Sequence, residues 1–215
     1  MAPIAPRPTL PLAFKISCKC GSVCANINAL EKSPPLRLVC YCKDCRGYFE
    51  SLNRMAASDP ATNNSPPPAV LDNWGGVDWT ALYPRDITML QGQDLLATTK
   101  IREGSSMRQV YATCCYTPMF RFGNLSVLAN SNALVLREDQ DEELPVTFRI
   151  IGRDSWKKGK ENIDKPKMSF SVPLKWFWTM PFRINKEYMQ PMPLALPEVK
   201  DCKVLSEFKE GSTTV

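Results

Sequence analysis

The sequence predicts a mainly β fold, and three observations carry that expectation. Nineteen prolines and ten glycines punctuate the 215 residues, so helical stretches are repeatedly interrupted. No long apolar stripe recurs at the helical period. Short segments instead alternate apolar and polar residues, the period of a strand with one face buried.

Taken in order, Leu12–Cys20 alternates with Phe14 and Ile16 on one face, and Leu36–Cys42 repeats the pattern with Leu36 and Leu38. Met89–Leu96, Ser106–Cys114, Met119–Phe122 and Leu125–Leu128 continue the strand reading, and Leu144–Ile151 (LPVTFRII) adds another. Residues 56–72, rich in proline, asparagine and serine, read as a flexible surface insertion. Residues 137–143 (REDQDEE) read as a solvated acidic connector, and 153–167, with six basic and three acidic residues, as an exposed loop. The expected organisation is a proline-rich arm at 1–11, one domain at 12–188 with an insertion at about 56–85, and an extended tail at 189–215 lying across the surface. Trp176 and Trp178 share a face by their spacing and read as core.

A net charge of +5 is too mild to indicate nucleic acid. The proline-rich start has too short an apolar run for a signal peptide, and no segment reaches membrane-spanning length. The expectation is a cytoplasmic, reducing location, where clustered cysteines read as metal ligands rather than disulfides.

The chain has nine cysteines and no histidine. Five of the nine fall in two tight groups, Cys18-Lys-Cys20 and Cys40-Tyr-Cys42-Lys-Asp-Cys45, while Cys114 and Cys115 sit side by side. Thiolate clusters of this kind suit a soft divalent ion such as zinc. On a strand, residues two apart share a face, so Cys18 and Cys20 can present sulfur to one ion, as can Cys40 and Cys42. A turn at Lys43-Asp44 would bring Cys45 round to complete a three-thiolate arc, and Gly21 supplies permissive backbone after Cys20. Cys24 and Cys202 read as small buried apolar side chains.

The motifs CKCGSV (18–23), CYCKDCR (40–46) and CYTPMF (115–120) resemble those of the glutathione-dependent formaldehyde-activating enzyme family, which includes centromere protein V. The similarity covers roughly residues 12–130. It implies a β-tent-like zinc fold of small antiparallel sheets with one structural and one functional zinc. It assigns Cys40, Cys42 and Cys45 to the functional ion, and Cys18, Cys20 and Cys115 to the structural one. Ala112 stands where the resemblance calls for a fourth structural cysteine. Cys114 is the expected substitute, through a bulge or turn, since adjacent strand residues point oppositely. A three-coordinate site completed by solvent, and an empty site, are the alternatives.

Three protein thiolates leave zinc a position for a fourth soft ligand, such as a substrate thiolate. The resulting expectation is a carbon–sulfur lyase or transferase acting on a glutathione adduct or related small electrophile, with glutathione as candidate co-substrate. Without histidine, proton transfer falls to Asp44, Glu50, Tyr41, Tyr48 or solvent. Lys43 and Arg46 are candidates for the glutathione carboxylates. Met107, Arg108, Tyr111, Arg121 and Phe122 are candidate pocket walls. The alternative is a non-catalytic, zinc-stapled binding module for a protein partner. A chromatin-associated role is disfavoured by the mild charge.

Overall fold

The alternating segments fold into strands, and the strands into two sheets. The computed structural model describes residues 13–28, 36–60, 69–82, 86–101, 103–105, 107–122, 127–130, 134–135, 144, 146–156, 169 and 203–204. Within these lie β1 (Ala13–Ser17), β2 (Cys24–Asn28), β3 (Leu36–Cys40), α1 (Lys43–Ser58), β4 (Val77–Leu82) and β5 (Ile87–Gln91). There follow β6 (Leu96–Lys100), β7 (Arg108–Ala112), β8 (Pro118–Phe122), β9 (Val127–Asn130), β10 (Leu134–Val135), β11 (Val146–Ile150) and β12 (Lys203–Val204).

The smaller sheet has the order β10-β1-β2-β5 and is antiparallel throughout. The larger sheet, β11-β3-β4-β9-β8-β7-β6-β12, has eight strands and is mixed, with parallel pairs β11·β3 and β12·β6 at its two ends. The expectation of small antiparallel sheets thus holds for one sheet and underestimates the other.

Two buried clusters organise the layers. Phe14, Ile16, Ala25 and Ile27 of the smaller sheet pack with Leu96, Val110, Phe120 and Ala129 of the larger one. The second cluster joins Cys45, Tyr48, Phe49 and Leu52 of α1 to Leu38, Trp79, Ala81 and Tyr111. Phe49 lies 5.8 Å from Trp79, ring centroid to ring centroid, so aromatic contact seats the helix on the sheet.

α1 corrects the reading of the chain as lacking a helical stripe. Its buried residues, Cys45, Tyr48, Phe49, Leu52 and Ala56, fall at the helical spacing. The helix also occupies the first residues assigned to the 56–72 insertion. Further along the 56–85 stretch, β4 is an interior strand paired with both β3 and β9. Almost all of β4 is buried, so no alternation marks it. No helix among the described residues is long and apolar enough to cross a membrane. The arm at 1–11, the connector at 137–143, Trp176, Trp178, Cys202 and nearly all of the tail lie outside the described residues.

Candidate metal centres

The first cysteine group is built by two turns. β1 stops at Ser17, so Cys18 and Cys20 do not share a strand face, contrary to the expected geometry. Residues 18–23 form a tight turn in which the Gly21 N–H donates to the Cys18 carbonyl at 2.9 Å and the Cys18 N–H to the Val23 carbonyl at 3.0 Å. Gly21 takes a left-handed φ of 78°, which a side chain would strain. Burial pushes the Cys18 thiol up, and the Val23 N–H, which donates to Cys18 Sγ at 3.3 Å, offsets this only in part.

The second turn follows β7. The Ala112 N–H donates to the Thr117 carbonyl at 2.9 Å, and Tyr116 takes a φ of 51°. Cys114 and Cys115 therefore lie in a reversal of the chain rather than on a strand, and their sulfurs sit 3.9 Å apart. Cys114 Sγ lies 3.3 Å from Cys20 Sγ and 3.9 Å from Cys18 Sγ. All four sulfurs, of Cys18, Cys20, Cys114 and Cys115, lie within 4.8 Å of one another. Of the alternatives left open by Ala112, the structure places Cys114 in the group. Thr117 links the two turns, its hydroxyl accepting from the Lys19 N–H at 3.0 Å and lying 3.0 Å from Cys115 Sγ.

A short brace at 91–95 contacts both turns and corrects the reading of Met89–Leu96 as one strand, since β5 ends at Gln91 and residues 93–95 form a single 3-10 turn. Gln91 Nε2 donates to the Gly21 carbonyl at 2.9 Å, and the Leu95 carbonyl accepts from the Thr113 N–H at 2.8 Å. Between them Gly92 has a φ of 71°, and an added Cβ would collide with the Ser22 carbonyl oxygen. Gly92→Ala should therefore destabilise the fold by about 1–3 kcal/mol from the left-handed backbone alone. The melting temperature should fall by roughly 5–10 °C and metal content at this group should drop. A variant melting with the wild type and carrying full metal would show that the brace does not position these thiols.

The second group sits where β3 meets α1. Cys40 is the last residue of β3 and Cys42 the N-cap of α1, its sulfur accepting from the Cys45 N–H at 3.3 Å. The helix starts at Lys43, so a helical turn, rather than a Lys43-Asp44 reverse turn, carries Cys45 under the sheet. Cys40 and Cys42 sulfurs are 3.4 Å apart, and all three lie within 4.8 Å of one another. Cys45 is fully buried and Cys40 buried, while Cys42 is partly exposed. Arg121, on β8, donates from Nη1 to Cys45 Sγ at 2.8 Å.

One thiol in each group ionises readily. Hydrogen bonding from Cys40, then Cys45, lowers Cys42 to about 2, against the opposing effect of burial. Hydrogen bonding with Cys42, then Cys45, pushes Cys40 far up, so that the pair divides into one thiolate and one thiol. At Cys20, burial acts against ionisation, but hydrogen bonds with Ser22, Cys114 and Cys18 together outweigh it and lower the thiol to about 6.

Both donor sets suit zinc. Four sulfurs held tetrahedrally at roughly 2.3 Å from zinc would stand about 3.8 Å apart. Four sulfur pairs of the first group stand 3.3–3.9 Å apart and Cys40 and Cys42 of the second 3.4 Å, close to that, with every pair in each group within 4.8 Å. Among the described residues no carboxylate joins either group, so the chemistry of both is all sulfur. The first set would close around the ion, and the second would supply three ligands.

The remaining expected residues divide. Cys24 is buried beside the first turn, donating to the Gly21 carbonyl at 3.3 Å, and belongs to neither group. Lys43 is exposed and Asp44 partly exposed in the first turn of α1, next to the triad. Arg46 is already engaged. Its Nη1 donates to the Asp154 carbonyl at 3.0 Å, its guanidinium lies 5.5 Å from the Trp156 ring centroid, and Glu50 is 3.8 Å away. Tyr41 is likewise committed, its hydroxyl donating to Asp72 at 3.0 Å and accepting from Arg149 at 2.9 Å. Tyr48 lies buried on the same helix face as Cys45, with no partner for its hydroxyl among the described residues. Tyr111 stacks on Tyr116, and Phe122 packs in the first buried cluster, on the side away from α1. Arg108 opens β7 with Met107 just before it, and both are partly buried.

No protein-family model matches the chain, and no curated protein matches it. Among solved structures, a Rhodobacter sphaeroides protein determined as a structural-genomics target is similar at 14% identity and a TM-score of 0.37. The match covers 62% of this chain and 99% of that one.

Proposed function

We propose that this chain is a zinc-dependent enzyme of the carbon–sulfur lyase or transferase class. It acts on a glutathione adduct or a related small electrophile at Cys40, Cys42 and Cys45. The observation that carries this reading is a convergence of three sulfurs with no fourth histidine, cysteine or carboxylate ligand among the described residues. Three protein ligands and an open position mark a reactive zinc, four closed ligands a structural one. The motif resemblance supports the same division, with the four-thiol group stapling the β1–β2 turn to the β7–β8 turn.

Zinc bound at the triad would hold an incoming sulfur as thiolate near neutral pH and orient it toward an electrophilic carbon. The chain's own residues do the rest. Cys42, held as thiolate at the head of α1, is the ligand nearest solvent. Asp44, partly exposed in the same first turn of α1, is the carboxylate assigned in this reading to carry a proton to or from the bound adduct. Lys43 is the exposed cation beside the triad for a peptide carboxylate, because Arg46 is held by Asp154 and Trp156.

A second reading, a zinc-stapled module that binds a protein partner, is favoured by one observation: Cys45 is completely buried and Cys40 nearly so. Cobalt-substituted protein titrated with glutathione separates the two. An open centre should show growth of the sulfur-to-cobalt charge-transfer band, with release of about one proton per thiol bound. No spectral response and no heat at millimolar glutathione would leave the binding module as the better account.

A further inference from the structure

Arg121 has an unusual set of neighbours for a largely buried cation. Its Nη1 donates to Cys45 Sγ at 2.8 Å, and its Nε is buried with no partner among the described residues. Among the described residues no carboxylate pairs with it. Gln109, its partner directly across the β7–β8 ladder, is fully buried, and neither polar atom of its carboxamide has a partner among the described residues.

We propose that Arg121 is the fixed counter-ion of the Cys40–Cys42–Cys45 centre and makes it selective for an anionic fourth ligand, a thiolate, over a neutral donor of similar reach. This rests on the reading of the triad as an open zinc site. Three cysteinates on a divalent ion carry a net charge of −1. A fourth thiolate raises this to −2, and an uncompensated charge in a buried site is costly. With Arg121 included, the resting centre is neutral and the thiolate complex carries −1. A neutral donor such as imidazole gains no comparable benefit from the cation. Hydrogen bonding to Cys45 also withdraws electron density from that sulfur, which is how groups outside the ligand set tune a metal. Arg121 is thus a positioning residue that acts through Cys45.

The test uses full-length, cobalt-substituted protein and two probes, 2-mercaptoethanol and imidazole, titrated into wild type, Arg121→Gln and Arg121→Lys. Arg121→Gln should weaken the thiol relative to imidazole by about tenfold or more, because only the thiol adds charge. Its sulfur-to-cobalt band should move to longer wavelength as Cys45 loses its donor. Arg121→Lys should keep most of the thiol preference while still shifting the band, since an ammonium retains the charge without the planar fork. A merely structural arginine would change melting and leave the affinity ratio alone. If both ligands bind wild type and Arg121→Gln leaves their ratio within twofold, the open site stands and this role of Arg121 is overturned. If wild type responds to neither ligand, the open-site reading falls and the selectivity falls with it. Should Arg121→Gln not fold, Arg121→Lys decides, and an unshifted band there overturns the proposal.

Discussion

Cys114→Ala is expected to remove one zinc ion per chain and to lower the melting temperature by roughly 10 °C or more, because a structural site's metal-binding energy is folding energy. The size of the effect separates the metal reading from an ordinary thiol. Cys114 is only partly buried, and truncating such a side chain without a metal changes stability by about 0.5 kcal/mol or less. Its sulfur, however, lies within 4 Å of those of Cys18, Cys20 and Cys115, and the zinc it would share joins turns nearly a hundred residues apart. A strong chelator should accordingly bring wild type and variant to a common, lower melting temperature. Ala112, fully buried in the same cluster as Cys18 and Cys115, is the position from which a compensating thiol could act. Cys114→Ala combined with Ala112→Cys should recover metal. Unchanged melting and full zinc content in Cys114→Ala alone would make Cys114 an isolated thiol.

The cysteine groups were legible in the sequence, but their backbone was not. Strand periodicity suggested that Cys18 and Cys20 share a face, yet β1 ends at Ser17 and a turn built on Gly21 points the sulfurs together. The same groups could form either way, because a ligand set constrains where sulfurs end and not how the chain delivers them. α1 was readable from its spacing of Cys45, Tyr48, Phe49, Leu52 and Ala56. It was obscured by Gly47 in its first turns and by a cysteine, rather than serine or aspartate, as N-cap. β4 offered no period because both its faces are covered. Arg121 was one of several residues flanking a motif, and only the pairing of β7 with β8 and the seating of α1 bring it to Cys45. Gly92 carried no signal at all, since its role depends on a collision with Ser22, a residue far away in sequence.

Cys42 has two roles, and a pair of substitutions should separate them. Its sulfur caps α1 by accepting the Cys45 N–H, and the same sulfur belongs to the triad. Serine is a good N-cap and alanine a poor one, so Cys42→Ser should exceed Cys42→Ala in stability by about 1 kcal/mol. Both should nevertheless lose the triad's metal, leaving zinc only at the four-thiol group, and both should abolish the response of cobalt-loaded protein to glutathione. The helix itself should persist in Cys42→Ser, because Tyr48, Phe49 and Leu52 remain buried against Trp79 and its neighbours. The contrast with Cys18→Ser or Cys20→Ser is then one of kind. Those should give less soluble protein with a lowered melting temperature, because their ion would tie the smaller sheet to the β7–β8 turn, whereas Cys42→Ser should melt close to the wild type and lose ligand binding. Equal loss of soluble protein for both pairs would mean that the structural and reactive centres have been assigned the wrong way round or are not distinct.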